Sequence, residues 1–93
     1  MYKKIGIICA STEELAPFLP HIENDRTSEK AMLCVHEGSI AGVPVAALFC
    51  GVCKVNAALA AQMLIDNYGV DLIINAGTAG GIDRSITVFD VVA

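Results

Sequence analysis

Tryptophan is absent from this sequence, its aromatics are three phenylalanines and two tyrosines, and lysine plus arginine number 6 against 10 acidic residues. A chain of formal net charge −4 with so few rings lacks both a basic surface for a phosphate backbone and platforms for base stacking. No nucleic-acid partner is expected. Long apolar runs are missing too: none approaches the roughly 20 residues that span a bilayer. The first apolar stretch is broken by Gly6 and followed by Glu13 and Glu14, so neither a membrane span nor a signal peptide is expected. A zinc site on Cys50 and Cys53 would need two further ligands, and Cys34, His21 and His36 show no ligand spacing, so no metal or cofactor is expected. The cysteines sit within or beside apolar runs, where a free thiol behaves as a small hydrophobe; a reduced, cytoplasmic protein is the simpler reading.

What is present is apolar. Hydrophobic residues make up 55% of 93 residues against 17% charged, which excludes disorder, allows one domain at most and favours elements buried on more than one side. Lys4 to Ala10 reads as a strand that empties into Ser11-Thr12-Glu13-Glu14. Ser11 with Glu14 three residues on is a capping-box signature, so a helix is predicted from Thr12, kept short by Pro17 and Pro20. Glu23 to Lys30 reads as a polar surface loop, and Ala31 to Ser39 with Val43 to Cys50 as an antiparallel hairpin turning over Ile40-Ala41-Gly42. Pro44 suits an edge or the first position of its strand. From Lys54 to about Asn67 helical spacing puts Val55, Ala58, Leu59 and Met63 on a buried face widened by Leu64 and Ile65, with Gly69 as the stop. Asp71 to Ala76 reads as a fully buried strand, and Val88 to Ala93 as the start of another. This order gives a mixed α/β sheet. Two helices are too few to cover it, and the sequence closes on Val91-Val92-Ala93 without a polar tail. The chain is therefore expected to be the first part of a longer domain; a free-standing domain that covers its sheet by self-association is the alternative.

Three segments bear on chemistry. The run Leu72 to Ala76 leads into Gly77-Thr78-Ala79-Gly80-Gly81, a strand end whose small residues let a ligand approach backbone N–H groups; the same glycines could simply turn the chain. It is neither the dinucleotide fingerprint nor a P-loop. If this strand and the first are parallel neighbours, both turns lie at one edge of one sheet. Glu14 is there either a capping carboxylate bonded to the Ser11 N–H or a general base toward water, and the two roles are compatible. Glu13, about 100° further round the helix, faces solvent. Cys50-Gly51-Val52-Cys53 is a C-x-x-C opening a helix, as in thioredoxin-like redox sites, but the proline such a fold places well downstream is missing: none follows Pro44.

In order and spacing, Ile5 to Glu14, Gly51 to Ala58 and Ile73 to Gly81 together resemble the 5′-methylthioadenosine/S-adenosylhomocysteine nucleosidases of the purine nucleoside phosphorylase superfamily. The resemblance runs from Lys3 to Ala93 and covers the first part of a family member. It implies a three-layer α/β/α fold around a mixed central sheet, of which residues 1–93 are the N-terminal portion of a single nucleoside phosphorylase-like domain, incomplete in this chain. It further implies hydrolysis of the N-glycosidic bond of a small nucleoside substrate with release of adenine, and a homodimer. By the same resemblance Glu14 activates water, Thr78 replaces a serine, Ala79 and Gly80 lie against the purine, and Val52 borders the ribose and its 5′ substituent, with Ser11 also at the substrate. Cys9, Ser11 and Thr12 stand where the family carries Gly, Met and Glu, and Cys53 stands where it carries glycine. The family's ribose clamp and its purine-protonating aspartate come later than residue 93, so residues 1–93 alone are expected to have little activity. The acidic first turn would repel phosphate, favouring water over phosphorolysis. A phosphorylase of the same superfamily and a non-catalytic nucleoside-binding remnant are the alternatives.

Overall fold

The computed structural model describes residues 2–93. Its elements are β1 (Ile5–Cys9), α1 (Thr12–Leu15), a 3-10 turn (Leu19–His21), β2 (Glu23–Lys30), β3 (Leu33–Ile40), β4 (Val43–Phe49), α2 (Lys54–Tyr68) and β5 (Leu72–Asn75). They form one five-stranded sheet of order β2-β3-β4-β1-β5. β1 runs parallel to β4 and β5, while β2, β3 and β4 are an antiparallel meander, so the sheet is mixed as expected. Alternation along β1 divides its side chains between two cores. Ile8 joins Val35, Ala46, Leu48, Ala60, Met63, Leu64 and Val70 under α2. Ile7 and Cys9 join Leu15, Ile22, Val45 and Ala47 under α1 and the 3-10 turn. Helical cover on both faces makes three layers, the second of them thin.

Local signals explain most boundaries. Ser11 caps α1 by accepting from the Glu14 N–H at 3.3 Å, and α1 stops after one turn ahead of Pro17. Gly69 ends α2 in the left-handed conformation, φ +67, returning its N–H to the Leu64 carbonyl. Ala41 (φ +50) and Gly42 (φ +82) make the two-residue turn between β3 and β4. Pro44 precedes Val45, where pairing with β1 begins, so its missing N–H costs the interior strand no bond to β1.

Four expectations are corrected. Glu23 to Lys30 is the edge strand β2, exposed along its whole length; its order comes from backbone pairing with β3, which an apolar-pattern search cannot see. The buried face of α2 is Ala60, Met63 and Leu64, whereas Val55, Leu59 and Ile65 are open to solvent. The β1–β5 register sets that rotation by seating Leu64 and Val70 over Gly6. β5 is an edge strand among the described residues, with Ile74 and Asn75 exposed rather than fully buried. Val88 to Ala93 forms no strand, since no neighbour offers it hydrogen bonds, and Val88, Phe89, Val91 and Val92 stand in solvent.

Candidate functional site

The parallel pairing of β1 with β5 brings Ile8 opposite Asn75, so the segments after both strands emerge side by side at the carboxyl edge of the sheet. In α/β sheets that edge is where ligands are bound. The next ladder bond, from the Ala76 N–H to the Ile8 carbonyl at 2.9 Å, carries the pairing up to the turns themselves.

Glu14 joins the two turns. Its Oε1 accepts from the Ala10 N–H at 2.9 Å, and its Oε2 accepts from both the N–H (2.8 Å) and the hydroxyl (3.0 Å) of Thr78. The reciprocal half of the capping box is therefore not the one expected: the carboxylate goes to Ala10 and across to Thr78, with Ser11 N–H only a minor partner. Strand pairing puts donors of the β5 turn within reach and outcompetes the local bond. These donors, the Thr78 N–H foremost and then the Ala10 N–H and Thr78 hydroxyl, hold the Glu14 carboxyl below its ordinary pKa. Glu13, one residue earlier, is exposed.

Apart from the minor contact of the Ser11 N–H, the other candidates from the sequence share this edge without bonding to the carboxylate. Ser11 is half-buried at the cap of α1, Val52 is exposed between β4 and α2, and Ala79 and Gly80 are exposed beyond Thr78. A Cβ at Gly80 would meet nothing within 4 Å, so the turn leaves open space there. A cavity of about 300 Å³ lies between the strand ends and the start of α2, lined in part by Cys9, Ala10, Cys50, Gly51, Lys54 and Asn75. Ala10 thus faces it with one group while its N–H holds Glu14. Sequence reasoning included Gly77 in the ligand turn but missed its closeness to Glu14, and it missed Ala10 as part of this site. The signal was present in the shared strand ends, but backbone donors carry no side-chain signature.

All four cysteines are free thiols. Burial pushes the Cys50 thiol above its ordinary pKa, the opposite of the activation a C-x-x-C redox centre needs. Cys53 is exposed at the N-cap of α2 with φ +95 and ψ +158, a region that side chains avoid.

Comparison with known proteins covers nearly all of the chain. The family model of the phosphorylase superfamily matches residues 4–93. A 5′-methylthioadenosine/S-adenosylhomocysteine nucleosidase of Maridesulfovibrio salexigens is 40% identical over 89 residues, 96% of this chain and 38% of the relative. The Colwellia psychrerythraea nucleosidase solved with adenine superposes with a TM-score of 0.91 at 38% identity, over 95% of this chain and 36% of that one. The Streptococcus pneumoniae nucleosidase solved with a transition-state inhibitor gives 0.91 and 38%, over 94% and 38%. The chain spans little more than a third of the length of these relatives.

Proposed function

This chain belongs to the phosphorylase superfamily, and from that premise we propose that the intact protein hydrolyses the N-glycosidic bond of 5′-thio-substituted adenosines, releasing adenine. Residues 1–93 would be the N-terminal portion of its single domain. The observation that carries this reading is the Glu14 carboxylate, held between the turns after β1 and β5 by Ala10 and Thr78. A carboxylate has about four acceptor positions, and three here are occupied by these donors; the fourth, on Oε1 and at most weakly engaged by the Ser11 N–H, would accept from a water. Glu14 would orient that water toward the anomeric carbon and take its proton, while its charge favours the oxocarbenium-like transition state. Thr78, Ala79 and Gly80 would floor the purine, and Ser11 and Val52 would border the ribose and its 5′ substituent. The nucleosidase relatives support water as the nucleophile, as does a first turn whose two carboxylates repel phosphate.

Two finer readings accompany it. A homodimer is supported by the apolar stripe Val55, Leu59 and Ile65 left uncovered on α2. A cytoplasmic enzyme of methionine salvage is the second, its reducing compartment supported by four free thiols. The test of the activity is adenine release from methylthioadenosine by the full-length protein without phosphate. Glu14→Gln is expected to lower kcat by about a hundredfold or more, the usual scale for a lost general base. Release that requires phosphate, or full hydrolysis by Glu14→Gln, would refute the reading.

A further inference from the structure

Gly77 stands between β5 and Thr78 and is exposed. Its φ lies outside the left-handed region occupied by Gly42, Gly51 and Gly69, so the backbone there does not require glycine. Space does. A Cβ at Gly77 would lie 2.9 Å from Glu14 Oε2, 3.2 Å from Cδ and 3.3 Å from Oε1. All three distances fall short of the roughly 3.5 Å at which non-bonded carbon contacts become favourable. The carboxylate cannot swing aside freely, because Ala10 holds one oxygen and Thr78 the other at 2.8 to 3.0 Å.

We propose that Gly77 is a positioning residue for Glu14: the space left by its missing side chain is where the carboxylate is clamped between Ala10 and Thr78. An added methyl would press on the carboxylate, lengthen the two Thr78 hydrogen bonds to Oε2 and turn the water-accepting Oε1 away from its mark. Gly77 would then act through Glu14 without touching the substrate's reacting atoms. The inference rests on the nucleosidase reading for its kinetic consequence, whereas its geometric content is independent of that reading.

The experiment compares wild type, Gly77→Ala, Glu14→Gln and the double variant in the full-length protein. It measures adenine release from methylthioadenosine across pH, and the Glu14 carboxyl titration by carbon-13 NMR. Gly77→Ala is expected to lower kcat by about tenfold to a hundredfold, the scale of a small misplacement of a catalytic group. KM should change little, and the Glu14 titration and acid limb of kcat should move to higher pH as the Thr78 donors are lost. In the Glu14→Gln background the same substitution should cost less than about twofold, because the group it acts through is gone. An unmoved Glu14 titration, a wild-type kcat, or an equal loss in both backgrounds would overturn the proposal. A wild-type protein that releases no adenine would refute the nucleosidase reading and leave the titration to decide the positioning. If Gly77→Ala fails to fold, Glu14→Asp in the same chain withdraws the carboxylate by one methylene and should restore folding; failure to do so counts against the clamp.

Discussion

At the scale of single residues, the structure separates what Glu14 and Cys53 share in the sequence, a place beside a helix start. Glu14 is a carboxylate with donors on both oxygens, and these lower its pKa. Because the folded value is depressed, its contribution to stability is complete above the unfolded value and fades as pH falls through the folded one. The proposed base form follows the same sign: kcat should stay level from neutral pH down through the ordinary glutamate range and fall only below it. A pH–rate profile that turns down at or above the ordinary range would count against the clamp. Cys53 occupies a backbone region, φ +95 and ψ +158, populated almost wholly by glycine. Cys53→Gly is accordingly expected to stabilise the protein by about 1–2 kcal/mol in denaturant melts, with the thiol's loss leaving hydrolysis unaffected. The capping serine, the acidic first turn and the small residues after β5 were legible in the sequence. The bond from Glu14 to Thr78 was not, since it joins residues 64 positions apart.

At the scale of elements, strands were read well where one face is buried and poorly where pairing alone orders them. β2 carries Glu23, Asp25, Arg26, Glu29 and Lys30 and buries nothing, yet it pairs with β3 along most of its length. Its register shifts between Glu23 and Arg26, and there the chain crosses closely over Gly38. A Cβ at Gly38 would collide with the Glu23 carbonyl oxygen and lie 2.5 Å from Ile22 Cγ2. Gly38→Ala should therefore cost about 1–3 kcal/mol by overpacking, measured by chemical denaturation, and should loosen β2 in hydrogen exchange before the β1–β4–β5 core. At the far edge, Asp71 accepts from the N–H groups of Lys3 and Lys4 at 2.9 and 3.0 Å, tying the start of β1 to β5. α2 shows where helical spacing misled: its apolar residues go nearly all the way round, so the single broad face read from spacing held Met63 and Leu64 rightly but also Val55, Leu59 and Ile65, and the sheet chose the side that adds Ala60.

At the scale of the whole molecule, large apolar surface is left over. Val55, Leu59 and Ile65 are exposed on α2, and an apolar groove of about 430 Å³, lined in part by Ile5, Ile7, Phe18, Val45 and Ile74, lies open beside the 3-10 turn. If the α2 stripe is a dimer contact, Leu59→Asp in the full-length protein should halve the mass found by light scattering while leaving the far-UV spectrum unchanged; an unaltered mass would remove α2 from the interface. The sequence by itself determined the class of fold, the places of β1, α1, the β3–β4 hairpin, α2 and β5, and the family, because periodicity, caps and ordered motifs are local properties of the chain. It could not determine which side of α2 is buried, that a wholly polar segment is a strand, or that Glu14 is held by Thr78 with Gly77 left bare beside it. Those follow from strand pairing and register, which bring distant residues together and which no local stretch of sequence encodes.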